Sequence, residues 1–293
     1  MSTAAPDAVD TFTGARPRLV GLAYRILGSL ADAEDVVSEV WFRWAATDQD
    51  RLDRPEAWLT TVTTRVAVDH LRARRRRTAD YPGPWLPEPI VGAPGPEEVA
   101  VVADSLTLGF LILLDELGPV ERAVFVLAEV FAAPYDEIAD VVGKSPAACR
   151  QIASRARRRV RAAHLPRASG PDRRLVDELL AAIAVGDVQG VLDRVSPDVV
   201  CTSDGGPHRR AARRPVVTGP RVARFLINLA SRYEGRMTAT PVSVNGDAGY
   251  VVEVDGEIDQ ILSCAVDDGR VTAIRIMRNP DKLRLVGSPS LLR

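Results

Sequence analysis

Hydrophobic residues recur with a helical period over residues 12–77, which predicts an all-helical domain. In the segment DAEDVVSEVWFRW the apolar positions form one stripe, made of Ala33, Val36, Val37, Val40, Trp41 and Trp44. Three acids, Asp32, Asp35 and Glu39, lie off this stripe, so we expect an acidic face turned to solvent. A second long helix is predicted from Pro55 into the arginine cluster of residues 72–77, because proline is favoured in the first turn of a helix.

Residues 78–96, TADYPGPWLPEPIVGAPGP, interrupt the helical pattern. Prolines at this density exclude both a helix interior and a central strand, and they predict an extended, semi-rigid linker. The helical period returns over residues 97–165, with breaks at Gly118-Pro119, Pro134 and Gly143. We therefore predict two all-helical domains, residues 1–77 and 97–165, joined by a proline-rich linker.

Residues 171–286 have a different pattern. Helical segments, DRRLVDELLAAIAVGD and RVARFLINLASRY, are followed by β-branched runs that alternate with period two. The dipeptides Asn245-Gly246, Asp255-Gly256 and Asp268-Gly269 separate these runs and favour tight hairpin turns. Helices followed by an antiparallel sheet predict an α+β domain. The fold class expected for the chain is therefore multidomain, with two all-α domains followed by an α+β domain.

Composition narrows the function classes. The formal net charge of the 293 residues is −1, so bulk positive charge cannot coat nucleic acid and any DNA binding must use local basic clusters. The cysteines Cys149, Cys201 and Cys264 form no CxxC pair, which argues against a disulfide framework and a structural zinc site. No metal or cofactor is predicted. The first residues lack a signal-peptide pattern and the longest apolar run is too short to span a bilayer, so we expect a cytoplasmic protein without a membrane partner.

The segment YDEIADVVGKSPAACRQIASRARRRVRA predicts a helix-turn-helix. Gly143 permits the turn, Ser145 is a favourable N-cap and Pro146 a favourable first residue. Small, polar and basic side chains on one face of the second helix suit readout of base edges in a major groove: Ala147, Arg150, Gln151, Ser154, Arg155 and Arg158. The arginines of residues 157–161 suit phosphates. The alternative is a solvated helical hairpin, but such a helix usually mixes acids with its bases, and none occurs between Ser145 and His164.

The arginine cluster of residues 72–77 is less specific. A run of charge by itself is as consistent with a solvated helix face as with nucleic-acid binding. A second DNA-reading helix further along the chain favours the nucleic-acid interpretation, since two basic readers joined by a stiff connector fit two separated DNA sites.

Residues 12–164 resemble the extracytoplasmic-function (ECF) sigma factors of bacterial RNA polymerase. The resemblance rests on DAEDVVSEVWFRW, AWLTTVTTRVAVDHLR and LGPVERAVFVLAEVF with the helix-turn-helix after it. It implies that the helix with Asp32, Asp35 and Glu39 docks on the β′ clamp helices of core polymerase and that the second helical domain meets the β flap. It implies that residues 45–54 and the next helix melt and read the −10 promoter element, with Arg65, Asp69, Arg72, Arg74, Arg75 and Arg76 as contacts. The helix from Pro146 would read the −35 element.

The rest of the chain resembles a subgroup of these factors, including the sigma factor J type, that has a fused SnoaL-like domain shaped as a cone-like barrel. WLPEP, residues Trp85, Leu86, Pro87, Glu88 and Pro89, is one signature, and NPDKL, residues Asn279, Pro280, Asp281, Lys282 and Leu283, is another. A third signature, DGGGK, is incomplete: Asp204, Gly205 and Gly206 are followed by Pro207 and His208, and Arg209 or Arg210 is the nearest substitute for the lysine. The resemblance implies that the fused domain regulates the factor through the linker, without a separate anti-sigma factor.

The resemblance gives Trp85 a role. An apolar Trp85-Leu86 pair on a proline-stiffened strip suits a pocket on another domain, because the prolines lower the entropy cost of ordering the strip. The alternative is that Trp85 fills a crevice of the first helical domain. The resemblance favours the interdomain contact.

A function of another class would be a SnoaL-like small-molecule-binding, isomerase or cyclase domain fused to a DNA-binding regulator. Such a site needs an acid or base in a pocket, and the candidates are His208, Asp204, Asp259 and Asp281. The α+β domain has one histidine, placed beside arginines in a predicted loop, and no evident acid–base pair. We therefore expect a sigma factor that is not an enzyme.

Overall fold

The computed structural model describes residues 6–77, 81–92, 107–162 and 172–284. They form two compact units: residues 6–77 with 111–162, and residues 81–92 and 107–110 with 172–284. Parts of the predicted domains and linker lie outside the described residues, namely residues 1–5, 78–80, 93–106, 163–165, 171 and 285–286. The grouping differs from the predicted domain boundaries, because the described helices on both sides of the linker share one unit and the described linker residues belong to the other.

The first half of the first unit consists of α1 (Pro6–Leu27), α2 (Leu30–Ala45), a 3-10 turn (Gln49–Arg51) and α3 (Pro55–Arg77). Ser29 caps α2, since its Oγ accepts a hydrogen bond from the Asp32 amide at 3.1 Å. The predicted stripe of α2 is buried except at Trp41, which is partly exposed and lies against Phe12 with ring centroids 4.9 Å apart. Trp44 is buried and its Nε1 donates to the Ala8 carbonyl at 2.8 Å.

The second half of this unit begins within α4 (Leu108–Asp115) and continues with α5 (Pro119–Phe125), a π-helical turn (Val126–Val130), α6 (Tyr135–Val142) and α7 (Pro146–Ala162). Gly143 follows α6 with φ +66°, a left-handed conformation that favours glycine. The Ser145 side chain then accepts from the Ala148 amide at 3.2 Å, so the sequence signals for the helix-turn-helix are confirmed.

The second unit contains α8 (Arg173–Ala184), α9 (Val188–Arg194), α10 (Gly219–Ser231), α11 (Pro280–Leu283) and a seven-stranded sheet. The strands are β1 (Val91–Gly92), β2 (Val195–Asp204), β3 (Val216–Val217), β4 (Met237–Val244), β5 (Asp247–Val254), β6 (Glu257–Asp267) and β7 (Arg270–Met277), in the order β1-β4-β5-β6-β7-β2-β3. The predicted hairpin dipeptides have positive φ at Asn245, Asp255 and Asp268 and at the glycine after each. Two features of the sheet differ from the sequence prediction, which was an antiparallel sheet.

The first difference is that β2 pairs with β7 in parallel, so the sheet is mixed. The long connection from β2 through α10 and three hairpins allows this pairing, since a parallel pair needs a crossover and not a tight turn. The second difference is that the linker contributes a strand: β1 pairs antiparallel with β4 at Val91 and Val244.

The core of the second unit lies between the helices and one face of the sheet. It is apolar and includes Val176 and Leu179 of α8, Val222 of α10, and Leu262 and Ile274 of the sheet. Cys149, Cys201 and Cys264 are buried free thiols. Among the described residues, no helix has the length and apolar character needed to cross a membrane.

Candidate functional site

One face of α7 is polar and fully accessible. All six side chains predicted to read DNA bases are exposed: Ala147, Arg150, Gln151, Ser154, Arg155 and Arg158. The opposite face is buried in the first unit through Cys149, Ile152, Ala153 and Ala156. The side chains that fix the helix are therefore separate from those that can meet a ligand.

Other arginines of α7 are held by acids of the same unit. Arg157 Nε lies 2.9 Å from Glu129 Oε1, and Arg159 Nη1 lies 3.1 Å from Glu121 Oε2. The hydrogen bond and charge of Glu129 raise the pKa of Arg157. Arg157 and Arg159 thus orient α7 on its neighbours, which was not expected from their position in a basic run. The guanidinium of Arg150 lies over the Tyr135 ring, 5.4 Å from its centroid, which positions Arg150 at the exposed leading end of the helix.

The arginines predicted to contact the −10 element are mostly engaged within the first unit. Arg65 donates to the main-chain carbonyls of Val141 at 3.1 Å and Asp140 at 2.6 Å, both in α6. Arg74 is buried and its Nη2 lies 3.0 Å from Asp115 Oδ1. Arg75 donates to the carbonyls of Asp115 and Leu117, at 2.5 and 2.7 Å. In this arrangement the Arg74 side chain is too deeply buried to contact a DNA phosphate.

The remaining residues predicted for this element lie on the exposed side of α3. Asp69 and Arg72 form a 2.9 Å ion pair one turn apart, and Arg76 is exposed. The side chain of His70 on the same helix lies 3.3 Å from Glu39 of α2, so the two helices are linked by a polar contact.

Asp115 is the centre of a cluster of buried arginines. Its Oδ1 also accepts from Arg122 Nη1 at 3.0 Å, and Arg122 Nε donates to the Arg25 carbonyl at 2.9 Å. The Arg122 side chain has no exposed surface, and this burial lowers its pKa to about 9 although the charge of Asp115 acts in the opposite direction. A cation this deeply buried depends on its carboxylate partner.

The exposed face of α2 has the predicted acids. Asp35 is exposed, Asp32 is partly exposed, and Glu39 is half-exposed with an ion pair to Arg43. Sequence reasoning missed Phe42, whose side chain is 73% exposed. It borders a groove of about 280 Å³ lined by Phe12, Arg16, Val37, Ser38, Trp41 and Phe42. The available signal was a large aromatic residue that lies off the apolar stripe of its own helix.

In the second unit the linker signature meets the other two signatures at the Asp204 carboxylate, which is 1% exposed. Its Oδ1 accepts from the Tyr81 hydroxyl at 2.6 Å and from the Gly206 amide at 2.9 Å. Its Oδ2 accepts from the Leu86 amide at 2.9 Å and from Lys282 Nζ at 2.7 Å. We call Tyr81, Trp85, Leu86, Asp204 and Lys282 the linker clamp. Burial, together with the hydrogen bond to Asp204, raises the pKa of the Tyr81 hydroxyl, so Tyr81 remains a neutral donor.

Lys282 joins the linker to the domain in two ways. Its ammonium donates to the Leu86 carbonyl and lies 4.0 Å from the centroid of the Trp85 ring, close enough for a cation–π contact. Asn279 caps the short helix that carries Lys282, accepting from the Asp281 amide at 3.1 Å, and its Nδ2 donates to the Tyr81 hydroxyl at 2.9 Å. The signatures WLPEP and NPDKL and the residues 204–206 are therefore in one place.

The glycines of the third signature are required by close packing. A Cβ on Gly205 would lie 2.2 Å from the Arg209 carbonyl oxygen. Gly206 has φ +58°, and a Cβ there would lie 2.5 Å from the Asn279 side chain. Neither position of this turn admits a larger residue without displacing the backbone or the Asn279 cap.

The other signature residues have separate positions. Leu86, Pro87, Glu88, Pro89 and Leu283 are buried, Trp85 and Pro280 are partly exposed, and Asp281 is exposed. Asp281 pairs with Arg284 at 2.7 Å and His208 at 3.6 Å. Further along the linker, the Asn245 amide donates to the Ile90 carbonyl, and the Ile90 amide donates to Asn245 Oδ1, both at 2.9 Å. Tyr81 and Asn245 were missed as site residues, because a residue's partner across the fold leaves no local pattern.

The candidates for an acid–base site all have structural partners. Asp204 is enclosed by the linker clamp, and Asp259 is bound by Arg209 and Arg278. Arg209 thus pairs with Asp259, and Lys282 is the cation at Asp204. Among the described residues, no group of His, Cys, Asp and Glu side chains could hold a metal ion.

Comparison with known proteins agrees with this architecture. Residues 12–77 match the model of Sigma-70 region 2, and residues 110–160 match that of Sigma-70, region 4. The chain is 39% identical to the ECF RNA polymerase sigma factor SigJ of Mycobacterium tuberculosis, over 96% of this chain and 94% of that protein. It is 30% identical to the probable ECF RNA polymerase sigma factor SigI of the same organism, over 92% of each chain.

The similarity extends to the fold. The crystal structure of M. tuberculosis SigJ superimposes with a TM-score of 0.78 and 36% identity, covering 97% of this chain and 100% of that one. Sigma factors of this kind act with core RNA polymerase on promoter DNA, and they are generally initiation factors without enzymatic activity. The two helical regions, the α+β domain and these relatives together show that the chain belongs to the ECF RNA polymerase sigma factors, in the form that has a fused SnoaL-like domain.

Proposed function

We propose that α7 reads the −35 element and that α3, with the loop of residues 45–54, melts and reads the −10 element. The observation that carries this assignment is the exposed face of α7, where Arg150, Gln151 and Arg155 project together without an acidic neighbour on the helix. Arginine and glutamine side chains match the hydrogen-bonding edges of guanine and adenine in the major groove. The exposed Arg72 and Arg76 of α3 supply phosphate contacts.

The surface of α2 is the proposed docking site for the β′ clamp helices of core polymerase. Asp35 supplies negative charge at the exposed side, and Phe42 supplies an apolar anchor beside its groove. Interfaces of this kind depend on a few large side chains surrounded by polar contacts. The second helical region would meet the β flap. Since polymerase is the partner, the protein acts in the cytoplasm.

The SnoaL-like domain is proposed to regulate promoter use through the linker clamp, without a separate anti-sigma factor. The linker connects regions 2 and 4 along the chain, so a domain that holds it affects both readers. The support is the Asp204 carboxylate, whose four hydrogen bonds include two from the linker residues Tyr81 and Leu86. We propose no catalytic role for the domain, because His208, Asp204, Asp259 and Asp281 all have structural partners.

Transcription in vitro tests the proposal with purified components alone. The full chain is added to core polymerase on genomic DNA, and start sites are mapped by sequencing the transcripts. We expect one class of start sites that requires the chain and disappears with Arg155→Ala, while Arg174→Ala, at an exposed site on α8, behaves as wild type. Start sites that do not depend on the chain, or that survive Arg155→Ala unchanged, would contradict the assignment.

The regulatory part needs a second comparison. A chain that ends after residue 166 lacks the SnoaL-like domain, and Lys282→Met keeps the domain while removing the cation of the linker clamp. Both changes should alter the amount or choice of promoter-dependent transcript in the same direction. Wild-type output from both chains would exclude regulation through the clamp and would leave the sigma-factor assignment intact.

A further inference from the structure

Three of the arginines predicted to contact the −10 element bind region 4 in this structure. Arg65 donates to the Val141 and Asp140 carbonyls of the helix-turn-helix, and Arg74 and Arg75 reach Asp115 at the end of α4. At the edge of the same surface, Arg54 of region 2 forms a 2.7 Å ion pair with Glu137 of α6. Part of the basic surface predicted to read the −10 element is thus bound to the region that contains the −35 reader.

Asp115 is the acid on which these contacts converge. Its Oδ1 lies 3.0 Å from both Arg74 Nη2 and Arg122 Nη1, and 3.9 Å from Arg75 Nη2. The Arg74 side chain is 9% exposed and the Arg122 side chain has no exposed surface, so their charges cannot be satisfied by water. Removing the carboxylate would leave two buried cations without their partner.

A carboxylate and a phosphate present the same acceptor geometry to a guanidinium group. Arg74 and Arg75 therefore cannot bind Asp115 and a DNA phosphate at once. The Arg75 side chain is 32% exposed, so a phosphate can first contact this arginine at the edge of the cluster. The affinity for DNA is then lowered by the fraction of molecules in which Asp115 holds the arginines.

We propose that Asp115 is an autoinhibitory latch: its carboxylate competes with promoter phosphates for Arg74 and Arg75 and keeps regions 2 and 4 closed on each other until DNA and polymerase displace it. The latch lies wholly within the two sigma regions and is distinct from the linker clamp of the SnoaL-like domain. It rests on the proposed function, because regions 2 and 4 need to separate only if both of them bind promoter DNA.

The test uses full-length Asp115→Asn, which keeps the side-chain shape and one acceptor oxygen but removes the charge. Spin labels at Ala46→Cys and Ala162→Cys, both exposed positions, report the distance between regions 2 and 4, since the native cysteines are buried. The DNA probe is a short fluorescent duplex of mixed sequence, because competition for phosphates does not depend on base sequence. Asp136→Asn, an exposed acid on α6, is the matched control for loss of one negative charge.

Wild type should give the distance of the closed arrangement, which lengthens in part when the duplex is added. Asp115→Asn should show the longer distance without DNA and should bind the duplex about tenfold more tightly, a change of about 1.4 kcal/mol. Asp136→Asn should behave as wild type. If Asp115 has only a structural role, Asp115→Asn will lower thermal stability and DNA affinity together, and this result would overturn the latch.

A second variant covers the case in which Asp115→Asn does not fold. Glu137→Gln breaks the exposed Arg54 ion pair at the edge of the same surface and should raise duplex affinity in the same direction, by a smaller factor. An unchanged distance and affinity in Glu137→Gln would then refute the latch. The proposed function fails separately, if the wild-type chain does not direct core polymerase to start sites.

Discussion

The ammonium group of Lys282 lies 2.7 Å from the Asp204 carboxylate and 4.0 Å from the centre of the Trp85 ring. One side chain therefore neutralises a buried acid of the SnoaL-like domain and contacts the aromatic residue of the linker. Asp204 is buried and Trp85 is partly exposed, so removing the ammonium group should lower the stability of the fold. This relationship makes the linker clamp testable by single substitutions.

Lys282→Met should loosen the clamp. It leaves the 1%-exposed Asp204 without its cation, and breaking a buried pair costs about 3 kcal/mol. We expect a lower melting temperature and faster amide hydrogen exchange in residues 81–92. Arg284→Met, two positions away with a side chain 75% exposed, is the control and should change neither. Equal exchange in both variants would show that Lys282 does not hold the linker.

Trp85→Ala should change promoter-dependent transcription while leaving binding of the isolated −35 duplex near the wild-type value. The reason is that Trp85 contacts Lys282 in the second unit, whereas the reading face of α7 belongs to the first. Transcription assays and fluorescence anisotropy with the duplex measure the two quantities. Loss of duplex binding would mean that Trp85 supports the helix-turn-helix directly.

Arg150→Ala and Arg155→Ala should each weaken specific DNA binding by about 1–3 kcal/mol, because a guanidinium that pairs with guanine contributes that much discrimination. Both side chains are exposed, so stability should not change. Binding isotherms on the mapped promoter and on a scrambled duplex separate specific from general affinity. Equal losses on both duplexes would reassign these arginines to phosphate contacts.

Phe42→Ala should weaken binding to core polymerase by more than about 1 kcal/mol if the aromatic ring is an interface anchor. The side chain is 73% exposed, so the fold should tolerate its removal. Val185→Ala in the second unit, 80% exposed, is the control for loss of an exposed apolar residue. Surface-plasmon measurements with immobilised core enzyme would decide it, and wild-type affinity of Phe42→Ala would remove the groove from the docking surface.

The pH dependence of stability should report on Asp247. Burial raises the pKa of Asp247 to about 6, with the charge of Arg275 acting in the opposite direction. Because the folded state favours the protonated carboxyl of Asp247, the contribution of this group to stability is complete below the unfolded pKa of about 4. That contribution is lost as the pH rises to the folded pKa of about 6. The difference in unfolding free energy between wild type and Asp247→Asn should therefore fall by about 3 kcal/mol across this window. A constant difference from pH 4 to pH 7 would contradict the raised pKa.

Much of the helical part follows from local signals. The stripe of α2, the proline at the start of α3 and the Gly143–Ser145 turn each act within a few residues, and the structure has a helix or cap at each. Trp41 is the exception in the stripe, because it lies at the edge of the apolar arc and its burial depends on Phe12 of another helix. The hairpin turns were predictable for the same reason, since their positive φ angles are set by the dipeptides themselves.

The candidate site was predicted only in part. The exposed face of α7 follows from helical periodicity, but the engagement of Arg74, Arg75, Arg157 and Arg159 by acids does not, because a basic run gives no indication of which carboxylates the fold will bring near it. The resemblance implied that the three signatures belong to one regulatory contact. It did not indicate that Lys282 pairs with Asp204 or that the Tyr81 hydroxyl donates to the same carboxylate.

The sequence by itself determined where helices and turns form and which face of α7 is polar, because those properties depend on residues within one or two turns of each other. Only the tertiary structure decided that β2 pairs in parallel with β7, that the linker adds a strand to the sheet, and that Asp115 and Asp204 each gather partners distant in sequence. The physical reason is that a buried charge must be paired wherever the chain places it, and the partner is set by proximity in the folded state and not along the chain.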